Sequence, residues 1–288
     1  MKEYIVFTDS CCDIAPELLN RWGVPYAHMT FSFDGDDKAY ISTDITNKEF
    51  YDRMRQGAVA KTAAINAATF TDAFAPILEN GKDILYIAFS SGLSTTLNSA
   101  HMAAEELKDR YPDSKIVIVD TMAASAGSGL MVYMAVAKKN EGASIEENAA
   151  YIESLVPQHC IWFTVDDLEY LKRGGRVSPL VAFAGSVLGI KPILQMDDEG
   201  HLIKVGTARG RKKAIETLAD KYTELSYEER NTPIFISHAQ CEDDAKLLAD
   251  ILKQRHGAET TLITEIGPVI GSHSGPGTLA IFYIGKHR

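Results

Sequence analysis

Long apolar runs are absent from this sequence, although 45% of its 288 residues are hydrophobic. No segment approaches the roughly 18 apolar residues that a membrane-spanning helix needs. The opening MKEYIVFTDSCC carries an acidic third residue and only a short apolar run, too short for the apolar region of a secretory signal peptide. We therefore expect a cytoplasmic protein without a transmembrane segment, for which only transient contact with a membrane surface remains open.

Positive charge and a cysteine framework are lacking as well. The 29 Lys and Arg are outnumbered by 39 Asp and Glu, and no basic stripe compensates, so nucleic acid is not an expected partner. Cys11 and Cys12 are adjacent, whereas Cys160 and Cys241 lie far apart in the chain. This spacing fits neither a set of disulfides nor a zinc site, and the eight histidines are scattered, so we predict no metal.

Short apolar runs alternate with helical patterns in the first half of the chain. Runs typical of buried strands occupy residues 4–7, 84–89 and 115–120. Segments with the apolar spacing of helices occupy residues 47–57, 69–81 and 95–110. Such alternation predicts a mostly parallel sheet covered by helices on both faces.

The chain changes character near Pro157. Two apolar runs, 190–196 and 201–207, flank the acidic turn DDEG and predict a β-hairpin, which introduces antiparallel pairing. Because 288 residues exceed the usual size of a single core, we predict two α/β domains. Residues 1–157 form the first, with a mostly parallel sheet flanked by helices, and residues 158–288 form the second, with a mixed sheet.

The loop FSSGLSTTLNSA, residues 89–100, leaves an apolar strand and enters a helix. Ligands of open α/β sheets bind at that end of the strands, and the unpaired N–H groups of a helix start favour a small anion. Ser91, Ser94, Thr95 and Thr96 are candidate donors to it. Taken alone, the loop fits a simple helix cap by Ser94 or Thr95 equally well.

A second candidate is GSHSGPG, residues 271–277, which places His273 and Ser274 among glycines between two predicted strands. Glycines allow close approach of the backbone to a ligand. By itself, however, the element is more typical of a tight turn with a solvent-exposed histidine. Thr62, in the run KTAAIN between two predicted helices, carries no signal of its own.

Two cationic clusters complete the candidates. YLKRGGRVS sets Lys172, Arg173 and Arg176 around paired glycines, and a solvated basic turn would explain it without any ligand. ARGRKK, residues 208–213, opens a predicted helix. The cluster is either a positively charged helix start that needs compensation or a docking patch; because cations near a helix N-terminus are locally unfavourable, the docking role is slightly favoured.

In their order along the chain, these segments resemble the DegV family of bacterial fatty-acid-binding proteins, the lipid-presenting subunits of fatty acid kinase. The resemblance runs nearly end to end. It rests on TDSCCD, SSGLSTTLNSA, VDTMAASAG, LEYLKRGGRVS, GIKPIL with its acidic turn, ARGRKKA and GSHSGPG. Each motif is weak individually, whereas the ordered set is specific.

The resemblance implies an apolar tunnel between the two domains that holds a long-chain fatty acid, with the carboxylate near Thr62, Ser94 and His273. Together with the hydroxyls beside them, the candidate fatty-acid-binding residues are Thr62, Ser94, His273, Ser91 and Ser274. The nearly uncharged segment 178–189 is a candidate tunnel wall, although an ordinary core helix needs the same residues. A tail of about 14 methylenes gains up to roughly 11 kcal/mol on burial.

Two arginines have counterparts in the family that this sequence resembles. Arg173 is similar to the arginine that flanks the site, and Arg209 to one implicated in meeting the kinase. The resemblance implies that the kinase subunit brings ATP and forms the acyl phosphate, so the chain itself would be a non-catalytic subunit without a cofactor. Two features depart from the family pattern: KTAAIN replaces a Thr-Ser-Gln-Pro-like run, and Thr95 occupies a position that is commonly glycine.

Two other functions remain as alternatives. A Ser94–His273 nucleophile pair would make the protein a lipid hydrolase or acyltransferase, although no acidic partner for the histidine is evident. A sugar- or nucleotide-binding α/β module would tolerate the polar loops. The sequence has no Walker phosphate loop, GxSxG elbow, GxGxxG after the first strand or HExxH motif.

Overall fold

Two larger sheets and one two-stranded sheet organise the computed structural model, which describes residues 2–177, 189–227 and 232–288. The strands are β1 Tyr4–Asp9, β2 Tyr26–Ala27, β3 Thr30–Phe33, β4 Ala60–Ala63, β5 Asp83–Ala88, β6 Ile116–Asp120, β7 His159–Thr164, β8 Ile190–Met196, β9 Leu202–Arg209, β10 Phe235–His238, β11 Leu262–Glu265 and β12 Leu279–Ile284. The described α-helices are α1 Pro16–Trp22, α2 Asn47–Arg55, α3 Ala67–Glu79, α4 Thr96–Arg110, α5 Ala126–Asn140, α6 Ile145–Leu155, α7 Glu169–Arg173, α8 Arg211–Leu225, α9 Glu242–His256 and α10 Pro268–Ser274.

The first sheet is parallel throughout and has the strand order β2–β1–β5–β6. Every residue of β5 is buried, as a central strand covered on both faces should be. Helices α3 and α4 pack together, as do α5 and α6, and both pairs contact this sheet. The parallel sheet predicted for the first half of the chain is confirmed.

The second sheet is mixed and has the order β11–β10–β12–β7–β8–β9. Strands β10 and β11 run parallel, while the other neighbours are antiparallel. Strands β8 and β9 form the predicted hairpin around the acidic turn. Helices α8 and α9 pack against one another, and their apolar side chains form a core with one face of this sheet.

Helix α5 lies between the two larger sheets and contacts β1, β5, β10 and β12. Its small residues permit this, because a Cβ atom on Gly127 would lie 2.8 Å from the Phe282 ring and one on Gly129 would lie 2.5 Å from Ile14. One hydrophobic cluster consequently joins residues of both sheets. Although the sheets divide near residue 157, the division into two domains there stays a prediction.

Several elements differ from the sequence-based expectation. The KTAAIN run does not simply connect helices, since Thr62 lies in β4 and pairs with Phe31 of β3. The GSHSGPG element was expected to be a turn, but Pro268–Ser274 form α10, with proline in the first turn and Gly275 at its C-cap with φ +78°. The proposed tunnel wall 178–189, except for Gly189, lies outside the described residues.

Two kinds of feature are absent from the described ranges. None of their helices has both the length and the apolar character that crossing a membrane requires. In those same ranges, no three His, Cys, Asp or Glu side chains are grouped in a way that could hold a metal ion.

Candidate ligand-binding site

A cavity is enclosed by residues from both halves of the chain. It holds about 710 Å³ of empty space, its opening to solvent included. Apolar side chains predominate in its lining, among them Met29, Phe89, Leu93, Ile161, Phe163 and Phe282. The polar lining residues are Thr62, Ser94, Ser125, Arg176, Ser237, His273, Ser274 and Thr278. A chamber of this composition suits an amphipathic ligand.

His273 and Thr62, which lie far apart in the sequence, contact each other in this cavity. The His273 Nε2 atom lies 2.8 Å from the Thr62 Oγ1 atom, across a separation of 211 residues. Burial, assisted by the nearby Arg176 guanidinium, lowers the pKa of His273 to about 4. The imidazole is therefore neutral at neutral pH, with one nitrogen that donates a hydrogen bond and one that accepts.

Gly174, the first of the paired glycines in YLKRGGRVS, lies against the imidazole of His273. A Cβ atom on Gly174 would lie 2.1 Å from the His273 Nδ1 atom, so only glycine permits this contact. Likewise, a Cβ atom on Gly275 would lie 2.3 Å from the Tyr170 ring. Gly174 at the end of α7 thus contacts a side chain of α10, and Gly275 at the end of α10 contacts a side chain of α7. The two motifs lie about a hundred residues apart in the sequence but form one structural unit.

Ser94 both supports the start of α4 and lines the cavity. Its Oγ atom accepts from the Thr96 backbone N–H at 3.2 Å and lies 2.9 Å from Thr96 Oγ1, which supports the start of α4. The same side chain lines the cavity. Thr95 occupies the N-cap position, where its side chain is exposed and makes no capping bond.

Three predicted residues do not reach the cavity. The exposed Ser91 uses its backbone N–H to donate to Asp120 at 3.3 Å, and its side chain is not part of the lining. Arg173 is exposed, with its guanidinium 5.8 Å from the centre of the Tyr170 ring. Arg209 is exposed at the end of β9. Thr62, Ser94, His273 and Ser274, by contrast, all line the one cavity.

Arg176, which sequence reasoning noted but did not select, is the cation of the cavity. Its Nε atom donates to the Leu93 carbonyl at 3.2 Å, and a second guanidinium N–H donates to the Gly174 carbonyl. Burial lowers the pKa of this arginine, which stays charged at neutral pH. Position 176 follows the paired glycines, which turn the chain so that Arg176 and not Arg173 enters the cavity.

A second polar group in the cavity was not among the predicted site residues, although Asp13 and Ser125 lie in the motifs TDSCCD and VDTMAASAG. Ser125 Oγ lies 2.6 Å from Asp13 Oδ2 and 3.1 Å from Ser237 Oγ, and Asp13 Oδ1 accepts from the Gly267 backbone N–H at 2.9 Å. Asp13 and both serines are buried. Burial raises the pKa of Asp13 to about 7, with Asp9 adding to the effect and the bonds from Ser125 and Gly267 opposing it.

Replacing Asp13 with asparagine tests this ionisation. Because the folded-state pKa lies above the ordinary value of 3.8, wild-type stability falls as pH rises from about 4 through about 7. An asparagine side chain does not titrate, so D13N should gain stability relative to wild type across that window, by at most about 1.4 kcal/mol per pH unit. Denaturant unfolding of both proteins at pH 5 and pH 8 measures this. If the difference in unfolding free energy between D13N and wild type is the same at both pH values, Asp13 does not ionise in this window.

The chain was compared with known families, curated proteins and solved structures. A family model described as an uncharacterised protein of the DegV family matches residues 4–286. A DegV domain-containing protein of Clostridium perfringens is 40% identical over 289 residues, which covers 100% of this chain and 99% of that protein. Another, from Lactococcus lactis, is 33% identical and covers 98% of this chain and 97% of its own length.

Solved structures with the same fold include proteins named for fatty acid binding. A fatty-acid-binding DegV family protein from Thermus thermophilus matches with a TM-score of 0.89 and 32% identity, covering 99% of this chain and 100% of that one. A stearic acid-binding protein from Eubacterium ventriosum matches with a TM-score of 0.89 and 25% identity, covering 98% of both chains.

Proposed function

This chain belongs to the DegV family, and on that premise we propose that it binds a long-chain fatty acid in the cavity, with the carboxylate at Thr62, Ser94 and His273. The observation that carries the proposal is a mostly apolar cavity whose polar lining includes these three side chains and a cation. Relatives from Thermus thermophilus and Eubacterium ventriosum that are named for fatty acid binding support it.

The polar groups suit a carboxylate. An ionised carboxylate accepts hydrogen bonds and donates none, and its burial is costly unless it is paired. The Ser274 hydroxyl is buried without a hydrogen-bond partner among the described residues, which leaves a donor available. Arg176 contributes the positive charge that a buried anion needs, and we place it in the head-group site in preference to the exposed Arg173.

Tail burial would supply most of the affinity. About 14 methylenes at up to roughly 0.8 kcal/mol each contribute about 11 kcal/mol, against association costs of roughly 4–15 kcal/mol. Complete enclosure of the tail would therefore matter more than any single polar contact. The apolar lining also disfavours the alternative of a sugar- or nucleotide-binding module.

The geometry favours binding over hydrolysis. A serine nucleophile needs the histidine as its base and an acid to orient that histidine. Here Nε2 of His273 is engaged by Thr62, and Nδ1 is buried against Gly174 without a hydrogen-bond partner in the described part of the chain. We therefore propose a non-catalytic subunit that needs no cofactor.

Presentation of the lipid to a fatty acid kinase is the second half of the proposal. Arg209 lies outside the cavity at the end of β9, opposite Ile190 in the register of the hairpin. Val205 and Ile190 are 45% and 36% exposed, so this edge combines a cation with apolar surface. Such a surface suits a protein partner. A kinase that uses ATP would place the complex in the cytoplasm.

Mass spectrometry of protein purified without denaturation tests the binding proposal. A carrier should retain long-chain fatty acid from its host, at close to one molecule per chain. Delipidated protein should then take up palmitate or stearate stoichiometrically in a calorimetric titration. Recovery without lipid, combined with no uptake by the delipidated protein, would overturn the proposal, and stoichiometric labelling of Ser94 by a phosphonate probe would favour the hydrolase.

Holding the lipid and presenting it should be separable by mutation. Ser94→Ala should weaken fatty acid binding by roughly 1–3 kcal/mol, the cost of removing one hydrogen bond to a charged group. Arg209→Ala should retain bound lipid but lower acyl-phosphate formation with a cognate kinase and ATP, since rim charges act mostly on association. A lipid-binding assay and a coupled kinase assay across both variants measure this. Equal loss of lipid from both would place Arg209 in the ligand site.

A further inference from the structure

Ser125 and Ser237 interrupt an otherwise apolar stretch of the cavity wall. Ser237 lies in β10 opposite Ala280 of β12, which in turn lies opposite Phe163 of β7, and all three line the cavity. Ser237 is 0% exposed and Ser125 4% exposed. Burying a hydroxyl is unfavourable unless it is hydrogen-bonded, and Ala280 shows that a small apolar residue fits this face. A tail of methylenes alone would leave the remaining hydrogen-bonding capacity of these hydroxyls unused.

The hydroxyl of Ser237 keeps unused hydrogen-bonding capacity. A hydroxyl has one donor and two acceptor positions, and Ser125 is the partner recorded for Ser237 among the described residues. If Ser125 donates to ionised Asp13, it accepts from Ser237, which leaves both acceptor positions of Ser237 free. If Asp13 is protonated, the chain of bonds reverses and Ser237 has a donor free. In either state a ligand oxygen can complete the network.

Ser125 adopts an unfavourable backbone conformation in this network. Its φ of +55° and ψ of −146° fall in a region that residues other than glycine rarely adopt. The side-chain bond to Asp13 and the position before α5 impose this conformation. The hydroxyl is thereby kept at the cavity wall.

This group is separate from the site proposed for the carboxylate. Asp13 is bonded to the N–H of Gly267, immediately before α10, whereas His273 lies in the last turn of that helix. Six residues at about 1.5 Å each separate Gly267 from His273 by about 9 Å along the helix axis. Ser237 is bonded to Ser125, the partner of Asp13, at the Gly267 end, so a fatty acid whose carboxylate lies at His273 would meet Ser237 part-way along its tail.

We propose that Ser125 and Ser237 form a second polar subsite that binds a hydroxyl on the acyl tail, so that hydroxylated long-chain fatty acids are preferred ligands. The proposal rests on the fatty acid binding proposed above and adds the class of tail that the cavity selects. The hydroxyl oxygen of the tail bonds to Ser237, while the carboxylate lies at Thr62 and His273.

A positional series of hydroxystearic acids, with stearic acid as the reference, tests the subsite in the delipidated protein. One position, or two adjacent ones, should bind about threefold to tenfold more tightly than stearate, as one net hydrogen bond would give. Equal or weaker binding of every isomer would overturn the subsite alone. Failure of stearate itself to bind would instead overturn the underlying fatty acid proposal.

Two serine variants test whether Ser237 causes the preference for a hydroxylated tail. Ser237→Ala should abolish the preference for the hydroxylated isomer, measured as the ratio of its affinity to that of stearate in the same variant. Ser272→Ala is the matched control, because Ser272 is buried in α10 but bonds to the Pro268 carbonyl and does not line the cavity. Retention of the preference in S237A, or its loss in S272A, would contradict the assignment. If S237A does not fold, the wild-type series still decides the proposal.

Discussion

Gly174→Ala is expected to weaken fatty acid binding more than any other single substitution considered, while leaving the fold intact. The new Cβ atom would lie 2.1 Å from Nδ1 of His273, so the imidazole must move away from Thr62. Gly174 has a φ of −71°, which alanine adopts freely, so no backbone strain contributes. Losing the hydrogen bonds that Thr62 and His273 are proposed to make to the charged head group should weaken binding by at least about a hundredfold. Calorimetric titration with palmitate measures the loss.

A matched control and a double-mutant cycle make this result specific. Gly206→Ala introduces the same methyl group in β9, where its nearest neighbour would be Ile193 at 3.9 Å, so binding should be unaffected. If Gly174→Ala acts through His273, it should add little in a His273→Ala background. Additive losses in the double variant would show that Gly174 acts by another route.

Arg176→Ala is expected to have the second largest effect on binding. Arg176 lines the cavity, whereas Arg173 is exposed over Tyr170, so the two should behave differently. Removing a cation and its hydrogen bonds from the site of a buried carboxylate should weaken binding roughly tenfold to a hundredfold. Arg173→Ala should change affinity less than about twofold, since exposed charges contribute little. A larger loss in the Arg173 variant would restore it as the site-flanking arginine.

The pKa of His273 provides a second test of the electrostatic effect of Arg176 on the site. The guanidinium lowers the pKa of the imidazole, although burial is the larger cause. In the ligand-free Arg176→Ala variant, this pKa should therefore rise from about 4 but stay below its ordinary value of 6.5. An NMR titration of the imidazole resonances follows the shift, and an unchanged pKa would mean that Arg176 does not act on the site electrostatically.

Local patterning accounts for the architecture that the sequence could predict. Strands β5 and β6 appear as short β-rich runs, and the DDEG turn between β8 and β9 has the composition of a hairpin turn. Both runs were predicted as buried strands, but only β5 is buried throughout; β6 is an edge strand in which Val119 alone is buried. The short strands β3 and β4 were missed because β4, with the sequence AKTA, has no pattern of its own. It forms because β3 offers a paired edge backed by the aromatic cluster of Phe31, Phe33 and Phe50.

The sequence by itself determined the alternation of strands and helices, the hairpin and an ordered set of motifs that identifies a family. Only the tertiary structure decided which residues meet. It brought Thr62 to His273 across 211 residues, seated His273 against Gly174, and turned Arg176 into the cavity in place of Arg173. The physical reason is that periodicity and turn composition report interactions within a few residues, whereas a binding site is built from contacts between segments whose separation in the chain leaves no local trace.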